Sequence, residues 1–251
     1  MELKQKKHLV KDVHEEYSQV NVFGGVGGLT HIHKGKDWML PIEYTILVPT
    51  QNNRGVHMSR LVAAAQKHSE GEQIEHSMRE ICKEVNKTQP GCRVICDVQY
   101  PYKDQFMPIT IKMSERGKIR YTFQRTGITA CPCSKHLVGI GHMQRTVLKL
   151  RMDSDDIQDF SEVAEKMGEC FSTIPAEHLK REDEGEKILE AQEHPRFAED
   201  VVRECLKRFP NATSIEARSL ESIHLHDAIA YWSRKSNSGG GGSNDHSGNG
   251  K

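Results

Sequence analysis

Four stretches of this sequence concentrate residue types that can ligate a cation, move a proton or grip a phosphate. They are Arg54-Gly55-Val56-His57-Met58-Ser59-Arg60, the run from Cys131 to Arg145, the run from Leu179 to Glu184, and Glu221-Ser222-Ile223-His224-Leu225-His226-Asp227. A metal site is the simplest reason for a thiolate, imidazoles and carboxylates from such distant stretches to converge. Divalent zinc, iron or manganese accepts mixed ligands of this kind, and a catalytic site keeps one position open for water. His224 and His226 have strand spacing, which puts both imidazoles on one face, so that one can bind metal while the other acts as acid or base.

Each signal has a plain alternative. A His-x-His pair is also an ordinary surface feature, and Cys131-Pro132-Cys133 lacks the two-residue spacing of zinc knuckles and thioredoxin-like sites. Glu184 belongs to Lys180-Arg181-Glu182-Asp183-Glu184, which reads alone as a solvated charge run. Glu199 reads as a carboxylate in the first turn of a helix, where the helix dipole favours it.

Seven cysteines are an odd number for a disulfide framework. Cys82, Cys92, Cys96, Cys170 and Cys205 fall within regular helix or strand patterns and are assigned to packing. Cys131 and Cys133 sit where proline and small polar residues interrupt a strand pattern. Charge is balanced at 35 Lys+Arg against 35 Asp+Glu, so no global field draws the chain to nucleic acid or an acidic membrane. Met1 to His14 has no apolar run of the signal-peptide kind and no stretch is apolar for long enough to span a bilayer. A soluble, cytoplasmic protein is expected, with neither nucleic acid nor membrane as partner.

Period-2 alternation predicts strands over Trp38 to Thr50, Arg93 to Tyr102, Met107 to Met113, Lys118 to Ile128, Arg145 to Met152 and Ser214 to Ser222. Helical spacing predicts helices from near Ser59, through Ile74, Met78, Ile81 and Val85, over Ile157 to Gly168 and over Pro195 to Arg208. The fold class is therefore α+β in two halves: an irregular lead-in over 1–37, a first unit over 38–130, a second over 131–235, and a Gly/Ser-rich flexible tail over 236–251.

Taken in order, Arg54-Gly55-Val56-His57-Met58-Ser59-Arg60, Cys131-Pro132-Cys133-Ser134-Lys135, His142-Met143-Gln144-Arg145, Leu179-Lys180-Arg181, Phe197-Ala198-Glu199-Asp200 and Glu221 through Asp227 resemble the motifs of type IB GTP cyclohydrolases. The resemblance runs from about Leu40 to Ala230. It implies a tunnelling fold of two ββααββ-type units per chain, joined between subunits into a barrel-like homo-oligomer, a tetramer being expected, with active sites near subunit contacts.

It also implies one divalent metal (Fe2+, Zn2+ or Mn2+) held by Cys131, His142, Glu184 and His224, with Glu221 able to join and Cys133 as the substitute thiol. By the same resemblance Glu199 anchors guanine; for a GTP cyclohydrolase the expected course is attack of water on C8 of GTP with loss of formate, and His226, as the acid or base of the His-x-His pair, is expected to shuttle protons. Arg54, Arg60, Lys135 and Arg145 are candidates for the triphosphate, because guanidinium and ammonium groups give charge-assisted bonds to phosphate oxygens. Met143 departs from the family's usual asparagine. The competing expectations are another tunnelling-fold enzyme acting on a purine or pterin, and a non-catalytic metal or pterin binder.

Overall fold

A computed structural model describes residues 12–234. A single helical turn, Val13–Glu15, precedes strand β1 (Phe23–Lys34) and β2 (Met39–Pro49). Helices α1 (Met58–Lys67) and α2 (Ile74–Asn86) follow, then β3 (Arg93–Tyr102), β4 (Gln105–Ser114) and β5 (Ile119–Ala130). The rest of the order is α3 (Pro132–Val138), β6 (Met143–Ser154), α4 (Phe160–Gly168), α5 (Arg181–Glu193), α6 (Ala198–Arg208), β7 (Ala212–Leu220) and β8 (Ala228–Ser233). All eight strands form one antiparallel sheet in the order β1 to β8, so every strand pairs with its neighbours in sequence.

The alternation that predicted the strands is the alternation that makes the core. Tyr44, Ile46, Val94, Cys96, Ile109, Ile111, Tyr121, Phe123, Leu148 and Leu150 are all buried on one face, and the helices cover that face. Along α2 the buried residues Ile74, Met78, Ile81, Cys82 and Val85 form a stripe at three- and four-residue spacing. α6 presents Ala198, Val201, Val202 and Cys205 in the same way. α4 starts at Asp159, whose carboxylate accepts from the Ser161 and Glu162 N–H groups at 2.8 and 3.2 Å, a cap worth about 1 kcal/mol. The opposite sheet face bears Thr122, Gln124, Lys149, Arg151, Glu216 and Arg218, all short of full burial, as one-sided antiparallel sheets allow.

Several expectations change here. The lead-in read as irregular over 1–37 contains β1, whose glycines hide the alternation. Gly28 takes a left-handed φ of +68° at a register shift between Val26 and Leu29, a bulge position that suits glycine. The unit junction expected at 130/131 falls at the end of β5. The element order instead gives a first ββααββ half through β4 and a second from β5 to β8, meeting in the turn at 115–118. The tail over 236–251 lies outside the described residues. The five cysteines assigned to packing are all buried. No helix among the described residues is long and apolar enough to cross a membrane.

Candidate active site at the end of strands five and six

β5 delivers Cys131 at its end, where the residue also precedes the proline that opens α3, a favoured first helical position for proline. The chain returns through Gly139-Ile140-Gly141 to His142, which leads into β6. The Cys131 N–H donates to the His142 carbonyl at 2.9 Å, one step beyond the Ala130–Met143 pair of the ladder. Cys131 and His142, eleven residues apart in sequence, are thus locked side by side by sheet geometry.

The support around them is polar and specific. The His142 N–H donates to Ser134 Oγ at 3.0 Å. Gln192 of α5 accepts from the Gly141 N–H at 2.8 Å and donates to the Gly141 carbonyl at 2.9 Å. Lys135 donates its ammonium to the Gln192 carbonyl. His142 Nδ1 lies 2.9 Å from Gln144 Oε1, and the Gln144 amide nitrogen donates to Thr129 Oγ1 at 3.2 Å. In this orientation the amide oxygen faces the ring. Beyond it stands a buried hydroxyl ladder, Thr129 to Thr146 at 2.7 Å and Thr146 to Ser219 at 2.6 Å. In the tautomer whose Nδ1–H donates to Gln144, the Nε2 lone pair is left free, the arrangement by which outer groups orient a metal-binding histidine.

The segment after β7 completes the neighbourhood. Glu221 Oε2 is 3.8 Å from His142 Nδ1 and Ser222 Oγ is 3.4 Å from it. The His224 ring is 6.3 Å from that of His142, centroid to centroid and nearly perpendicular. His226 stacks on His224 at 5.2 Å and 14°. Sequence spacing placed these two on a strand, but residues 221–227 lie in the bend between β7 and β8, and the rings share a side through stacking. An ion pair of Arg218 with Asp227 at 3.0 Å ties the base of the bend, while Leu225 at its tip is fully exposed.

The other expected residues are placed less closely. Among the described residues, Cys131, His142, Glu184, His224 and Glu221 offer no three donor atoms within 4.8 Å of one another. Glu184 is exposed in the first turn of α5; that helix reaches the site through Gln192, about 12 Å further along its axis at 1.5 Å per residue. Glu199 is exposed in the first turn of α6. Its helix begins near the site, because the Arg196 N–H donates to the Ala130 carbonyl at 3.0 Å.

Cys133 is exposed on α3. Arg145 is exposed on the face of β6 opposite Gln144. Arg54 is paired with Glu16 at 2.6 Å, and Arg60 lines a polar cavity of about 390 Å³ with Glu15, Gln51, Asn53, His57 and Gln89. Sequence reasoning gave no role to Gln144, Gln192, Ser134 or the hydroxyl ladder; Gln144 and Ser134 left a trace, standing within the quoted motifs beside His142 and Cys131.

One cluster does meet the spacing of a metal site: Asp12, His14 and His57 have donor atoms all within 4.8 Å. The hydrogen bond from His14 holds the Asp12 carboxyl below the usual carboxylate range.

The architecture defines the class first. Uricase from Arthrobacter globiformis superposes with a TM-score of 0.56 at 8% identity, over 88% of this chain and 96% of that one, a likeness of fold that fits the tunnelling architecture. The family follows from sequence. The family model described as type I GTP cyclohydrolase folE2 matches residues 31–230. GTP cyclohydrolase FolE2 of Pelobacter propionicus is 30% identical over 200 residues, covering 70% of this chain and 76% of the relative. That of Nitratidesulfovibrio vulgaris is 32% identical over 204 residues, covering 70% and 76%. That of Staphylococcus aureus (strain Newman) is 29% identical over 211 residues, covering 72% of each. The chain belongs to the type I GTP cyclohydrolase folE2 family.

Proposed function

We propose that this protein is a metal-dependent GTP cyclohydrolase that opens the guanine imidazole ring at C8, releases formate and forms a 7,8-dihydroneopterin phosphate, as the triphosphate or the 2',3'-cyclic phosphate. The observation that carries the reading is the pairing of Cys131 with His142 at the end of β5 and the start of β6, with His224 and His226 stacked beside them, in a chain of this family.

The donors suit a divalent cation on their own chemistry. Cys131 is a free, partly buried thiol, and Gln144 leaves His142 with one available nitrogen. Cys131, His142 and His224 would hold the metal, with Glu184 and Glu221 supplying carboxylate oxygen. Iron(II), zinc or manganese bound there supplies Lewis acidity that makes water acidic enough to act as nucleophile near neutral pH.

The remaining work falls to side chains. Glu199 accepts two parallel N–H bonds from the guanine edge, which adenine cannot offer. His226, stacked on His224 and exposed, moves a proton to the ring nitrogen that leaves. Arg54, Arg60, Lys135 and Arg145 take the triphosphate. Arg54 and Arg60 follow β2, which ends at the side of the sheet where β5 begins, opposite the end that carries Cys131, so a second copy of the chain would bring them to the site. Barrel closure into a homo-oligomer, a tetramer in this reading, accounts for the two sheet edges that β1 and β8 leave unpaired among the described residues.

Anaerobic incubation of metal-loaded protein with GTP, reading formate and the pterin by mass, tests the proposal. His226→Asn is expected to keep its metal content and lose turnover by about 100-fold or more. Full turnover in that variant removes His226 from proton transfer, and no formate from wild-type protein with any of the three metals overturns the activity.

A further inference from the structure

The N-terminal segment lies along the loop that opens the Arg54-to-Arg60 motif. The Ser18 N–H donates to the Asn52 carbonyl at 2.7 Å, the Arg54 N–H to Glu16 at 2.6 Å and the Gly55 N–H to His14 at 3.1 Å, and the Arg54–Glu16 ion pair reinforces the contact. These bonds set His14 and Asp12 against His57. Asp12 Oδ1 is 2.7 Å from His14 Nδ1, and Asp12 Oδ2 is 3.6 Å from His57 Nδ1. The two imidazole rings stand 5.4 Å apart, tilted by 43°.

Ligands bound tetrahedrally at about 2.0–2.2 Å around one ion have donor atoms about 3.3–3.6 Å apart; the Asp12–His57 spacing of 3.6 Å meets that range, and the 2.7 Å Asp12–His14 contact, through the other carboxylate oxygen, is a hydrogen bond that a bound ion would replace. Backbone bonds that involve no side chain of the trio already hold it near that geometry. Three protein donors leave coordination positions free, and His57 also lines the polar cavity that contains Arg60, so water or a phosphate oxygen has room to complete the sphere.

We infer that Asp12, His14 and His57 form a second divalent-cation site, separate from the Cys131 site, whose occupancy fastens the N-terminal segment across the Arg54-to-Arg60 motif. Two imidazoles and one carboxylate select a first-row transition ion, zinc, cobalt, manganese or iron, over magnesium or calcium, which prefer all-oxygen sites. The site joins two exposed side chains of the N-terminal segment, Asp12 and His14, to the half-buried His57 of the loop. Its effect is therefore a cross-link: metal must leave before the segment can lift from the loop.

Cobalt(II) titration of the metal-stripped full chain is the test, because a thiolate ligand gives cobalt an intense charge-transfer band and an Asp/His/His site does not. Wild-type protein is expected to bind one equivalent more cobalt than the Asp12→Asn/His14→Gln double variant, which keeps any thiolate band. Cys131→Ser is expected to lose that band and keep the second equivalent.

With metal at a hundred times its Kd, proteolysis within the N-terminal segment of wild-type protein slows about 100-fold, and that protection is absent from the double variant. Equal stoichiometry in wild type and double variant, binding only at millimolar cobalt, or protection that persists in the double variant overturns the inference. A wild type that lacks the thiolate band yet still exceeds the double variant by one equivalent leaves this site standing and refutes the Cys131 reading alone.

Discussion

Gly141→Ala is the most direct test of how Cys131 and His142 are held together. A Cβ built on Gly141 would lie 2.6 Å from the Cys131 carbonyl oxygen and 3.1 Å from its nitrogen. The first distance is about 0.8 Å short of ordinary van der Waals contact. The obstacle is backbone at the end of a paired ladder, so relief requires the 131 and 142 strands to part. Their parting stretches the 2.9 Å bond from Cys131 N–H to His142 and pulls Gly141 from the two Gln192 bonds.

Catalytic groups must stay within about 0.5 Å of working geometry, and a 1 Å error costs about 100-fold. Turnover of GTP to formate is therefore expected to fall about 10- to 100-fold, with metal affinity falling alongside it. Crowding at a buried position costs about 1–3 kcal/mol, or about 2–12 °C in Tm for a chain of this size.

Gly185→Ala is the control, because a Cβ there meets nothing within 4 Å in an exposed stretch of α5. It is expected to raise stability by about 0.5–1 kcal/mol and leave turnover alone. Formate release, cobalt titration and thermal melts on the two variants give the answer. A Gly141→Ala protein with wild-type turnover and metal affinity refutes the claim that this backbone junction positions the two ligands.

Gln144→Leu removes the acceptor that orients His142 and is expected to weaken metal binding about 10- to 100-fold with a far-ultraviolet spectrum like wild type; unchanged affinity in a metal competition assay denies Gln144 that role. Glu75 is buried, accepts from Tyr121 Oη at 2.8 Å, and burial raises its pKa. A raised folded-state pKa means stability that is full below the unfolded value of about 4.3 and lost as pH rises. Glu75→Gln, which keeps the acceptor, is expected to melt a few degrees above wild type at pH 8, by about 2–4 °C per kcal/mol, with the gap closing towards pH 4. A gap that is constant or reversed across that range shows the carboxyl to be ionised in the fold.

Alternation in the sequence carried most of the sheet: Arg93 to Tyr102 matches β3 at both ends, and Trp38 to Thr50 brackets β2. It failed where side chains do not report their surroundings. β1 is masked by four glycines, α5 by a surface so polar that only Ala191 is buried, and β8 by its length of six residues. For the site, residue types pointed to metal chemistry and motif order pointed to the family. The positions of Cys131 and His142 followed from a strand ending and resuming. The grip on them was illegible, because Gln192 reaches Gly141 across 51 positions and Thr146 reaches Ser219 across 73. Such satisfaction of polar groups depends on tertiary placement and leaves no local pattern. The same reason made His224 and His226 look like strand partners when a bend and ring stacking bring them together.

Strand order from β1 to β8 without a single exchange has a meaning for synthesis. As the nascent chain leaves the ribosome, each new strand finds its partner already made, and none must wait for a segment still to be translated. Pairing can advance in step with elongation from the amino end, and only the outermost strand is exposed at any moment. Long-range closures, which slow the folding of many sheet proteins, are confined to the two longest helical excursions, after β2 and after β6.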